Sequence, residues 1–138
     1  MCNPQSASMK PEFVDGSRRS VFVIDDDASV RDSLGVLLRT LGFDVVTHES
    51  GTEMLADERR HNAGCFIVDH HMPGMDGLEM LSVLGQQGIR TPAILITGRS
   101  DASIAARAVA IGVKAVLEKP FAIARLVDLL QSSLGQCQ

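Results

Sequence analysis

Cys65-Phe66-Ile67-Val68-Asp69-His70-His71-Met72-Pro73-Gly74-Met75-Asp76-Gly77 is an apolar run that ends in a carboxylate and passes at once into a Pro/Gly turn. A continuous apolar run of strand length marks a strand covered on both faces. The acid that ends it is then delivered to the carboxyl edge of a sheet, with an open turn beside it. Taken alone, Asp69 fits two chemistries. It can accept a phosphoryl group, or Asp69-His70-His71 can be a cluster of metal ligands in a hydrolase.

Working outward, the same pattern recurs. Val21-Phe22-Val23-Ile24 is an all-apolar strand ending in Asp25-Asp26-Asp27, and Ala93-Ile94-Leu95-Ile96-Thr97 is a buried strand opened by Pro92. Asp44 to His48 and Ala115 to Glu118 read as shorter strands. Between them lie helical stripes: Val30, Leu34, Leu37, Leu38 and Leu41, stopped by Gly42; Leu78, Leu81 and Leu84; Ala102 to Ile111, stopped by Gly112; and Ile123, Leu126, Val127, Leu130 and Leu134. Ser50-Gly51-Thr52-Glu53 has capping-box spacing and predicts a short helix through about Arg60.

Five strands alternating with five helices require right-handed crossovers and a doubly wound parallel sheet of the α/β class. The expected strand order is flavodoxin-like, 2-1-3-4-5, taken from known sheets of this kind rather than from the sequence. In that order strands one and three are neighbours at the switch point. Asp25-Asp26-Asp27 and Asp69 then face one crevice.

The chain of 138 residues, 45% hydrophobic, has room for one domain with a core that needs no disulfides. Its formal charge of −4 argues against a general nucleic-acid-binding surface. Cys2, Cys65 and Cys137 form neither a disulfide framework nor a zinc motif, which points to a reducing cytoplasm. No apolar run approaches the roughly 20 residues that span a bilayer. Residues 1–19 are polar and aperiodic and read as a disordered leader, residues 20–134 as the domain, and residues 135–138 as a short tail.

Acids after strand one, Asp69 after strand three, Thr97 after strand four and Lys119 after strand five each have a bland explanation as a helix start, a strand residue or a loop salt bridge. Four such groups, all at strand ends, form a constellation instead. Through Val23-Ile24-Asp25-Asp26-Asp27, Val68-Asp69 to Gly77, Ile96-Thr97-Gly98 and Glu118-Lys119-Pro120-Phe121, the sequence resembles the receiver domain of bacterial two-component response regulators. The wording Asp26-Asp27-Ala28-Ser29-Val30-Arg31-Asp32-Ser33-Leu34 looks most like the branch that includes nitrogen-fixation transcriptional regulators.

The resemblance implies a phosphoacceptor signalling domain rather than an enzyme. Asp69 would take a phosphoryl group from a sensor histidine kinase or a histidine phosphotransfer protein. Asp25, Asp26, Asp69 and the backbone carbonyl of His71 would hold Mg2+, with Mn2+ an alternative, and Lys119 and Thr97 would meet the phosphoryl oxygens. It also implies a cis bond before Pro120, aiming Lys119 inward, and a helix-start role for Asp27. A single-domain regulator of this kind would act through a downstream protein rather than DNA, as a monomer or a phosphorylation-dependent dimer.

Three departures stand out. Val116 occupies a position where the family usually has an aromatic residue coupled to the threonine. His71 and Arg99 lie where family members tune loss of the phosphoryl group. Two rival readings remain open at this level: a receiver-like interaction module that is never phosphorylated, and a metal-dependent phosphoesterase built on Asp69-His70-His71.

Overall fold

Every apolar run named above is a strand of one parallel sheet. The structure, a computed structural model, describes residues 20–134. The expected leader over residues 1–19 and tail over 135–138, with Cys2 and Cys137, lie outside the described residues. The strands are β1 (Ser20–Ile24), β2 (Asp44–His48), β3 (Ala63–Asp69), β4 (Ala93–Thr97) and β5 (Ala115–Glu118). Their order is β2-β1-β3-β4-β5, all parallel, which is the 2-1-3-4-5 order expected.

The helices are α1 (Ala28–Thr40), α2 (Gly51–Leu55), α3 (Gly77–Gln86), α4 (Ala102–Ile111) and α5 (Ile123–Ser133). Successive strand residues point to opposite faces, so an all-apolar strand feeds two cores. Phe22, Phe66 and Leu95 pack with Met54, Leu78 and Ile104 beneath α2, α3 and α4. Val21, Ile67 and Ile94 pack with Leu38, Leu126 and Leu130 beneath α1 and α5. Cys65 lies in the second core, where burial pushes its thiol up to about 11 and leaves it a hydrophobe.

Gly42 and Gly112 end α1 and α4 with positive φ, a conformation that only glycine adopts without strain. The helix expected through Arg60 stops at Leu55 instead. Asp57 interrupts it: its carboxylate accepts from the Arg59 backbone N–H, pairs with the Arg59 guanidinium at 2.7 Å and meets His48 Nε2 at 2.9 Å. These contacts offer the chain an alternative to helix, and a 3-10 segment over Glu58–Asn62 follows. No helix among the described residues is long and apolar enough to cross a membrane.

Candidate functional site

The sheet's hydrogen bonding runs one residue past the strands, and this fixes the residues at its carboxyl edge. The Asp25 N–H donates to the His48 carbonyl at 3.1 Å, that of His70 to the Ile96 carbonyl at 2.8 Å, and that of Lys119 to the Thr97 carbonyl at 2.8 Å. Asp69 lies in register with Ile96, and Thr97 with Glu118. Asp25, Asp69, Thr97 and Lys119 are therefore held at one edge by backbone alone.

Carboxylate oxygens of Asp25, Asp26 and Asp69 all lie within 4.8 Å of one another. Asp25 and Asp69 are buried, whereas Asp26 is exposed. Burial pushes the Asp25 carboxyl up to about 6, against the N–H of Asp27 that pulls it down, and the charge of Asp69 adds to the rise. Asp69 is raised too, again chiefly by burial, with Lys119 opposing. Lys119 Nζ lies 4.0 Å from Asp69 Oδ1, and the Lys119-Pro120 bond is cis. An all-oxygen set of three acids, two of them shifted upward by burial, fits a hard divalent cation such as Mg2+.

Asp27 stands apart from this cluster. Its carboxylate accepts from the N–H groups of Ser29 and Val30, capping α1, which is the helix-start role expected of it. Gly77 sits directly beneath the acceptor. A methyl group there would come within 2.9 Å of the Asp69 carbonyl oxygen and 3.0 Å of His70 Cα, so only glycine lets α3 begin this close to the end of β3.

The two histidines have different polar partners. His70 is buried, with Nδ1 3.9 Å from Asp76 Oδ1, and Arg107 of α4 reaches the same oxygen at 3.6 Å. Burial holds His70 below its ordinary value. His71, whose ring packs edge-on against that of His70 at 5.0 Å, has its Nε2 2.8 Å from the Thr97 hydroxyl. Neither ring joins the three acids, so the Asp-His-His ligand cluster does not form. Arg99 approaches Thr97 through its backbone, with its carbonyl 2.8 Å and its N–H 3.2 Å from the hydroxyl oxygen. Val116 is half-buried against the core under α3 and α4.

Sequence reasoning put Asp25, Asp26, Asp69, Thr97 and Lys119 at one edge but missed Arg107 and the His71–Thr97 bond. The partners are 26 positions apart, and no local pattern encodes their meeting. It also missed the contacts of His48, whose Nδ1 lies 3.0 Å from Glu53 and Nε2 2.9 Å from Asp57.

Comparison with known proteins bears on this geometry. The family model described as response regulator receiver domain matches residues 21–131. The chain is 39% identical over 116 residues to the transcriptional regulatory protein FixJ of Azorhizobium caulinodans, covering 84% of this chain and 55% of that protein. It is 36% identical to the transcriptional regulatory protein TdiR of Thauera aromatica, over 87% of this chain and 53% of that one. It thus spans about half the length of these relatives. Among solved structures, the Vibrio cholerae chemotaxis protein CheY4 aligns with a TM-score of 0.78 at 28% identity, over 85% of this chain and 99% of that one. The crystal structure of FixJ-N aligns at 0.77 and 32%, over 87% and 96%. With the strand order, the acidic edge and the family match in agreement, the chain belongs to the receiver domains of two-component response regulators.

Proposed function

We propose that Asp69 accepts a phosphoryl group from a phosphohistidine of a sensor histidine kinase or a histidine phosphotransfer protein, and that residues 20–134 are the domain that does so. The surroundings of Asp69 carry this reading: its carboxylate lies within 4.8 Å of oxygens of Asp25 and Asp26, and its Oδ1 is 4.0 Å from the Lys119 ammonium. An Asp69 oxygen attacks phosphorus, the P–N bond breaks, and the leaving imidazole takes up a proton. Two carboxylates about 4 Å apart repel by about 4 kcal/mol at an effective dielectric near 20, so a dianion cannot join them without added positive charge. Lys119 supplies one charge from the protein. A divalent cation, Mg2+ or Mn2+, held by Asp25, Asp26, Asp69 and, by the family pattern, the carbonyl of His71, would supply two more.

Thr97 and Lys119 then read the new phosphoryl group, and the loop after β4 follows the Thr97 hydroxyl. The domain is a phosphoacceptor that assists its own phosphorylation and dephosphorylation, working in the cytoplasm and passing the signal to a downstream protein. The formal charge of −4 supports a protein target over direct nucleic-acid contact. Incubation with acetyl phosphate and Mg2+, followed by intact-mass analysis, tests the reading. The wild type should gain one phosphoryl group and Asp69→Ala none. No gain in the wild type, or an equal gain in Asp69→Ala, overturns it in favour of a passive interaction module.

A further inference from the structure

The Thr97 hydroxyl has one proton to give and two lone pairs to fill. Its oxygen meets three partners: the Arg99 carbonyl at 2.8 Å, the Arg99 N–H at 3.2 Å and His71 Nε2 at 2.8 Å. A carbonyl can only accept and a backbone N–H can only donate. The single hydroxyl proton therefore lies toward the Arg99 carbonyl, and the imidazole contact is satisfied when Nε2 carries a hydrogen and donates it. With those three bonds Thr97 has no capacity left for a phosphoryl oxygen. To donate to one it must give up the Arg99 carbonyl, and a displacement of the hydroxyl toward Asp69 stretches its 2.8 Å contact with the His71 ring.

His71 also touches the acceptor, since its backbone N–H donates to Asp69 Oδ1 at 3.3 Å. One residue thus contacts both the carboxylate that is modified and the threonine that responds. Val116, paired with Leu95 two residues before Thr97 meets Glu118, offers no ring on this side of the sheet. The ring beside Thr97 comes from the loop after β3 instead. Behind it stands His70, packed edge-on at 5.0 Å and facing Asp76, which in turn faces Arg107 of α4.

We propose that His71 is a positioning residue that latches Thr97 in the unphosphorylated arrangement, and that phosphorylation of Asp69 opens the latch, releasing hydroxyl and ring together. The inference rests on the receiver reading and extends it to a residue outside the switch pair. The bond at stake is one ordinary hydrogen bond, so its removal should raise the activated population roughly fivefold.

The test follows the Thr97 methyl resonance by NMR in the full chain, with and without beryllofluoride and Mg2+ as the phosphoryl mimic. Without the mimic, His71→Ala and His71→Phe should move the resonance toward its activated position. His71→Gln, whose amide N–H takes the place of Nε2–H, should leave it where the wild type has it. An unmoved resonance in His71→Ala overturns the latch. So does a wild-type position in His71→Phe, which would mean that the ring only fills space, or a His71→Gln that behaves like His71→Ala. A wild-type spectrum that ignores beryllofluoride overturns the receiver reading itself, and the latch with it.

Discussion

Asp25 shows what the site costs the folded protein. Its carboxyl is held up to about 6 by burial and by the charge of Asp69, while an unfolded aspartate titrates near 3.9. Between those values the native state binds more protons than the unfolded chain, so stability falls as pH rises. The loss begins near pH 4 and is complete above about 6. Asp57 behaves oppositely, because the Arg59 guanidinium first of all holds its carboxyl well below the usual range. That contribution is already in place above pH 5, since the unfolded value is passed by then. In metal-free buffer, the melting temperature of the wild type should therefore fall relative to Asp25→Asn as pH is raised from 4.5 to 7. Parallel curves for the two proteins would mean that Asp25 carries no strain.

At the scale of elements, β3 and its turn were the most legible part of the chain. An apolar run ending in an acid is encoded by neighbouring residues, and the same holds for β1 and β4. The end of α2 was not legible, because Ala56 to Arg60 offers helix-forming residues, and the competing contacts of the Asp57 carboxylate, with Arg59 and with His48 of β2, are not marked by any helix-stop residue. Stripes were also read too long: Leu41 lies past the end of α1 and is 50% exposed, and Ile123 at the start of α5 is 41% exposed. Gly77 shows a third kind of information, visible in the sequence as a turn glycine but explained only by the backbone 2.9 Å away. Gly77→Ala should cost about 2 kcal/mol, as overpacking against rigid neighbours does. The rate of phosphorylation by acetyl phosphate should fall with it, because the methyl group presses on the carbonyl of Asp69 itself. Urea denaturation measures the first effect and intact mass against time the second; a loss of stability with an unchanged rate would separate the turn from the site.

For the molecule as a whole, the position of the acids matters more than their number. Asp25 and Asp26 follow β1 and Asp69 ends β3, the two strands that pair at the centre of the sheet, with a core on either side. Repulsion across that pair bears on both strands at once, and a cation bound there would offset it. The strand order made this convergence legible before any side chain was placed. The sign of its energetic effect was not, because it depends on burial. Asp26→Asn should therefore have opposite consequences in two buffers. Without divalent cations it relieves like-charge repulsion by about 1 kcal/mol and raises the melting temperature by roughly 4 °C. With Mg2+ at about 100 times its dissociation constant, the wild type gains about 2.7 kcal/mol from binding, and a variant that has lost a ligand gains far less. The order of the two melting curves should then invert, which differential scanning calorimetry with EDTA or with Mg2+ reads directly. Asp26→Asn melting below the wild type in both buffers would make Asp26 a structural residue and remove the cation from the design of the fold.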